Sequence, residues 1–199
     1  MNRGRHTFRI LHGTLLFSTM VAACLAAFLP ARAGQASALD LNGSPVDPFK
    51  ASPRKIVVLI FVRTDCPVAN RYSPTIQRLS TQHLEKAAFW LVYPSKADSS
   101  DMIRKHDHDF GYKLPALRDL QHRLVKQSRA QITPEAAVFD ASRRLIYHGR
   151  IDNLYEDFGR ARTAPTTHEL DDAIQAAIKG KTLPANTVPA VGCYISDLE

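Results

Sequence analysis

The sequence predicts a single α/β domain built on a central mixed β-sheet flanked by helices. Three observations carry that expectation. Two unbroken apolar runs, residues 55–62 (KIVVLIFV) and 88–93 (AFWLVY), read as strands buried on both faces, as strands covered by helices on either side must be. The stretches that follow them carry apolar residues at helical spacing. Further on, two short runs joined by a polar turn read as an antiparallel hairpin, so a parallel start is followed by an antiparallel finish.

Taken in order, residues 34–54 are rich in Gly, Ser, Pro and Asp and read as an extended lead-in with a turn at Asn42-Gly43. After the first strand and a loop over 63–67, a helix is expected to about residue 86, with Ile76, Leu79 and Leu84 on its inner face. The second strand leads to a helix capped by Ser99 or Ser100 and running to Phe110, with Ile103, His106 and Phe110 inward. Asp119 can begin another helix through Ser128, buried by Leu120, Leu124 and Val125. Residues 136–139 and 145–148 form the hairpin around a turn at 140–143. Thr166-x-x-Glu169 has the form of a capping box ahead of Leu170, Ala173, Ile174, Ala177 and Ile178, and Gly180 closes that helix. The tail 181–199 holds Pro184, Pro189 and Gly192 and reads as irregular, although Cys193-Tyr194-Ile195 is apolar enough to pack. Residues 55–180 thus make one domain. It is long enough to bury a core without disulfides, and no repeat suggests a second one.

Charge has to be placed before it is interpreted. The 199 residues carry a formal +7 and three cysteines. Arg3, Arg5 and Arg9 precede an uncharged apolar run over 14–29, followed by Pro30 and Ala31-Arg32-Ala33. That is the layout of a signal peptide cleaved before Gly34, and the run is short for a membrane span. Lipidation at Cys24, after Val21-Ala22-Ala23, is a weaker alternative, because apolar residues continue beyond it. Losing residues 1–33 removes four arginines and no acid, so +7 becomes +3, and two cysteines remain, Cys66 and Cys193. The basicity is largely an address. The expectation is therefore an exported or periplasmic protein with no nucleic-acid partner and no stable membrane insertion after cleavage.

Cys66 follows the first strand directly, in Arg63-Thr64-Asp65-Cys66-Pro67, where a helix begins. Pro67 suits the first helical position, since its missing N–H has no intrahelical partner. A thiol there faces free backbone N–H groups that favour thiolate, helped by Arg63 or Arg71 and opposed by Asp65. Thr133-Pro134, between a helix and a strand, admits an ordinary loop proline or a cis peptide bond; local sequence alone favours trans. His106 and His108 point to nearly opposite sides of a helix, and His106 falls on the apolar stripe. Arg150 and Asp152 read as a rim ion pair.

These features together resemble the thioredoxin superfamily over roughly residues 38–180: a strand ending Phe61-Val62, Cys66-Pro67 at a helix start, and Thr133-Pro134 before the hairpin containing Val138-Phe139-Asp140. More narrowly, residues 65–74 (DCPVANRYSP), Gly149-Arg150-Ile151-Asp152 and Gly192-Cys193-Tyr194-Ile195 resemble exported peroxiredoxin-like redoxins. The resemblance implies a thioredoxin-like fold and makes Thr133-Pro134 a cis-proline loop whose backbone pairs with a substrate chain beside the active thiol. The chain also departs from the patterns. Ala69 stands where C-x-x-C has its second cysteine. Arg63 occupies the place, three before the cysteine, where peroxiredoxins carry threonine, so the standard peroxidase motif is not matched.

The resulting expectation is an exported redoxin-type thiol–disulfide oxidoreductase acting on a protein or small-molecule thiol or disulfide, without a cofactor. Cys66 is its nucleophile, Arg71 an activating charge, and Thr133 and Pro134 the substrate-presenting loop. Cys193 can fold back to resolve the mixed disulfide. Other readings stay open: both thiols left free, a fixed structural Cys66–Cys193 bridge in a non-catalytic module, and a copper-binding chaperone of the Sco-like kind. The last would use Cys66, His148 and Cys193, although Asn70 stands where that group has its second cysteine.

Overall fold

The computed structural model describes residues 38–53, 55–181 and 188–196. The described residues all fall in one compact unit, Gln35–Glu199. The expected export signal, its expected cleavage point and Cys24 lie outside the described residues, and so does Pro184. Among the described residues no helix is long and apolar enough to cross a membrane.

The lead-in is more ordered than its composition suggests. Strands β1 (Ala38–Leu39) and β2 (Pro45–Val46) form a small hairpin. Its turn is held by the Asp40 carboxylate, which accepts the N–H groups of Asn42 and Ser44 at 2.8 Å each, while Gly43 takes φ +85°. Helix α1 (Pro48–Ala51) follows, capped by Asp47. Strand β3 (Ile56–Phe61) has every residue buried.

The helix expected to about residue 86 is two: α2 (Pro67–Arg71) and α3 (Ser73–Gln82), broken at Tyr72. Pro74 is the cause, since it cannot donate the next i→i−4 bond and its ring crowds the preceding turn. Because α3 stops at Gln82, Leu84 falls in the turn and is 62% exposed, contrary to its expected place on the inner face. Strand β4 (Ala87–Tyr93) and helix α4 (Ser100–Asp109) match the expectation, with Ser99 as the cap.

Strand β5 (Ala116–Arg118), too short to show periodicity, was not anticipated. Helix α5 (Arg123–Ser128) begins one turn later than Asp119. Asp119 nevertheless serves it, accepting the N–H groups of Arg123 and Val125 at 2.9 Å each. Strands β6 (Ile132–Thr133), β7 (Glu135–Phe139) and β8 (Leu145–Gly149) come next, then the short ribbon β9 (Tyr155–Asp157) and β10 (Arg160–Ala161).

Helix α6 (Glu169–Ile178) has His168 at its N-cap with no side-chain cap bond, so the expected capping box is not formed. Thr166 is held elsewhere: its N–H and hydroxyl both bond Asn153, at 2.7 Å each. The last element, β11 (Cys193–Tyr194), is a strand in the tail expected to be irregular.

Seven of these strands form one sheet in the order β2-β1-β5-β4-β3-β7-β8. The pairings β3–β4 and β4–β5 are parallel, while β3–β7, β7–β8 and β1–β5 are antiparallel. Alternation along β3 feeds two cores. Val58 and Ile60 face a core shared with Ile76 of α3, Ile103 of α4 and Leu170 and Ile174 of α6. Val57, Leu59 and Phe61 face the other, closed by Phe49 of α1, Leu124 and Val125 of α5, and Ile195 just past β11. The sheet is therefore dry on both sides, and its central strands point the Cys66 loop and the Thr133-Pro134 loop toward one end.

Candidate active site

Cys66 is the N-cap residue of α2, with extended backbone at φ −88° and ψ 108°. Pro67 follows at the first helical position. The Ala69 N–H, one of the donors a helix start leaves unpaired, lies 3.5 Å from Cys66 Sγ. On its other side the sulfur is 3.1 Å from the Thr133 carbonyl oxygen, to which the protonated thiol donates. The peptide bond Thr133-Pro134 is cis. Cys66 itself is fully buried.

The cover comes from the tail. Strand β11 pairs antiparallel with β6, setting Cys193 opposite Thr133 and Tyr194 opposite Ile132. Thr133 Oγ1 donates to the Cys193 carbonyl at 3.3 Å, and the Ile195 N–H donates to Gln131 O at 2.9 Å. Upstream, Val188 O accepts the Arg150 N–H at 3.2 Å. Gly192 lies so close to the loop that a Cβ there would sit 2.0 Å from Thr133 O. Its lack of a side chain is what lets the tail seat.

Seated this way, the partly buried Cys193 thiol hydrogen-bonds Cys66, and both cysteines are free thiols. Burial, the Cys66 hydrogen bond and Cys66 charge push Cys193 up to about 11; Arg63 pulls it the other way and Asp65 adds to the rise.

Polar contacts behind the sulfurs hold the loop. Thr64 Oγ1 donates to Asp98 at 2.5 Å, and burial raises the Asp98 carboxyl above its usual range against that bond. Asn70, one turn past Cys66, donates to Thr64 O at 3.3 Å, and its side-chain oxygen meets His106 Nε2 at 2.8 Å. His106 Nδ1 in turn meets Tyr93 Oη at 2.9 Å, and Tyr93 is also 2.9 Å from Asp107. His106 is thus a packed histidine, as its place on the apolar stripe implied, and burial lowers its pKa. The backbone-holding role of Asn70 had no sequence signal, since its partners are 6 and 36 residues away.

Of the expected site residues, Cys66, Cys193, Thr133 and Pro134 come together. Arg71 is exposed on the last turn of α2, and the arginine whose charge acts on Cys193 is Arg63, itself paired with Asp65 at 2.9 Å. Arg150 and Asp152 do not pair with each other. Arg150 binds Glu169, and Asp152 accepts the Tyr72 hydroxyl at 2.6 Å. His148 lies on β8 and meets Glu135 at 3.3 Å. Among the described residues no three Cys, His, Asp or Glu side chains cluster as a metal would require, so Cys66, Cys193 and His148 are not assembled into a copper site.

No protein-family model and no curated protein matches the chain. Solved structures do. An uncharacterized conserved protein from Geobacillus kaustophilus superposes with a TM-score of 0.69 at 23% identity, covering 80% of this chain and 86% of that one. An exposed lipoprotein thioredoxin, Etrx1, from Streptococcus pneumoniae gives 0.53 at 16% identity, covering 74% and 99%. A secreted Mycobacterium tuberculosis disulfide oxidoreductase homologous to E. coli DsbE gives 0.50 at 15% identity, covering 73% and 96%. The fold is thioredoxin-like: a mixed central sheet flanked by helices.

Proposed function

We propose that the protein is an exported thiol–disulfide oxidoreductase of the redoxin type. The observation that carries this reading is the contact of two thiols from opposite ends of the domain, one at a helix start and one on the tail strand. The thioredoxin-like fold supports it, and so does its occurrence in a secreted disulfide oxidoreductase and a lipoprotein thioredoxin. The basic and apolar leader over 1–33 supports export, with cleavage before Gly34.

In the reducing direction, the tail first lifts from the edge at residues 131–133, and the Cys66 thiolate so uncovered attacks a substrate disulfide. A Cys66–substrate disulfide forms, and the first substrate thiolate leaves and takes a proton. Cys193 then gives up its proton and attacks Cys66 Sγ; the Cys66–Cys193 disulfide forms, and the second substrate thiol departs protonated. Two protein thiols are oxidised and one disulfide is reduced. An external thiol resets the pair by the reverse exchange. Ala69 N–H stabilises the Cys66 thiolate, and Thr133 and Pro134 form the wall against which the sulfurs meet. The resemblance of residues 65–74 to peroxiredoxin-like redoxins belongs to this reading, with Arg63 in place of the peroxidatic threonine.

Intact mass and free-thiol counts of the mature protein test the proposal, taken before and after dithiothreitol beside Cys66→Ser and Cys193→Ser. The expected result is an oxidised form lighter by two hydrogens, readily reduced, and lost in either variant. A bridge that resists dithiothreitol, and whose removal only lowers the melting temperature, would overturn it.

A further inference from the structure

We infer that Cys193, not Cys66, is the sulfur through which the oxidised pair meets its external reductant, and that this reductant is a small-molecule thiol. The inference rests on the oxidoreductase reading above and specifies its resetting step.

Access decides which sulfur of a disulfide is attacked, because the entering thiolate must approach along the sulfur–sulfur axis. Cys66 has no exposed surface, being enclosed by α2, the Thr133 carbonyl and the tail. Cys193 is only partly buried, and Tyr194 beside it is 75% exposed. The tail is tied down on both sides of Cys193, by Val188 to Arg150 and by Ile195 to Gln131. The arrangement therefore leaves Cys193 as the reachable sulfur.

The size of the partner follows from the backbone. An extended polypeptide laid beside the thiols would need the strand edge at residues 131–133, and that edge is already used. Gln131 O accepts Ile195 N–H, the N–H groups of Gln131 and Ile132 bind Glu135 at 2.9 and 3.2 Å, and Thr133 pairs with Cys193. The chain's own tail holds the place of a bound strand. A small thiol needs none of these groups.

A small thiolate RS⁻ attacks Cys193 Sγ, the Cys66–Cys193 bond breaks, and Cys66 leaves as a thiolate received by Ala69 N–H. A second RS⁻ attacks the sulfur of R in the Cys193–S–R adduct. RSSR departs, and the Cys193 thiolate takes up a proton. One protein disulfide is reduced and two small thiols are oxidised.

The test is to oxidise the mature wild-type protein, mix it with reduced glutathione, quench with acid and map the glutathione adduct by peptide mass spectrometry. The adduct is expected on Cys193, in at least about tenfold excess over Cys66. An adduct on Cys66, or an even split, overturns the inference and leaves the oxidoreductase reading standing. A pair that never bridges, or whose bridge glutathione and dithiothreitol both fail to open, overturns both. A reduced ten-residue cysteine peptide supplied at equal concentration should reset the pair at least about tenfold more slowly than glutathione; equal or faster resetting overturns the small-thiol assignment.

Discussion

Gly192 is the position where one added carbon would matter most, because its Cβ would enter the Thr133 carbonyl, a backbone atom that cannot rotate away. Gly192→Ala is expected to cost about 1–3 kcal/mol through overpacking and to lift the tail from the loop. Alkylation of Cys66 by iodoacetamide should then accelerate at least about tenfold, and an unchanged rate would show that the tail is not its cover.

Cys193 gives a pH signature at the same scale. Its folded pKa, about 11, exceeds the unfolded value of roughly 8.5. The folded protein therefore holds this proton where the unfolded chain has lost it. The contribution is fully present below the unfolded value and is lost as pH rises through about 11. Urea midpoints of the reduced protein should fall across that window, and Cys193→Ser should flatten the fall. Cys66 and its proline were legible as residues, because strand-Cys-Pro-helix is a local pattern. Gly192 was legible only as a motif letter, since its reason is a carbonyl 59 residues earlier in the chain.

Elements show where local rules held and where they gave way. Asp119 caps α5 from a turn away, holding two backbone N–H groups, so Asp119→Ala is expected to destabilise by about 0.5–2 kcal/mol. Leu84→Ser should change stability by no more than about 0.5 kcal/mol, although the helical pattern placed this leucine in the core. Chemical denaturation of the two variants side by side checks both expectations. Periodicity identified β3, β4 and α4 because burial on a sheet or helix face imposes it. It overran at Pro74, where the proline signal was outweighed by the apolar pattern, and at Thr166, whose groups are satisfied by Asn153 instead of a helix end. The two-residue strands β6 and β11 lie below the length at which alternation can be read.

For the whole molecule, the tail matters as a packed part of the second core. Ile195 is 6% exposed against the face that carries Leu59 and Phe61. Replacing it with alanine removes buried surface worth about 2–5 kcal/mol, which exceeds what the short β11 pairing can hold alone. In Ile195→Ala, hydrogen exchange at Tyr194 and at the replaced residue should rise at least about tenfold. The amides of residues 56–61 should stay protected relative to that segment, and equal acceleration of both would mean that the tail does not open independently.

The α/β class, the two-faced burial of β3, the export-like leader and the cysteine at a helix start are all legible along the chain. All of these rest on neighbours in the chain, through periodicity, capping and charge order. Packing alone roofs Cys66, brings Cys193 against it, sets Arg63 where its charge acts on Cys193 and places His148 with Glu135. Those outcomes depend on strand register and on one close backbone approach, Gly192 against Thr133. Register joins residues far apart in the chain, and no local pattern encodes it.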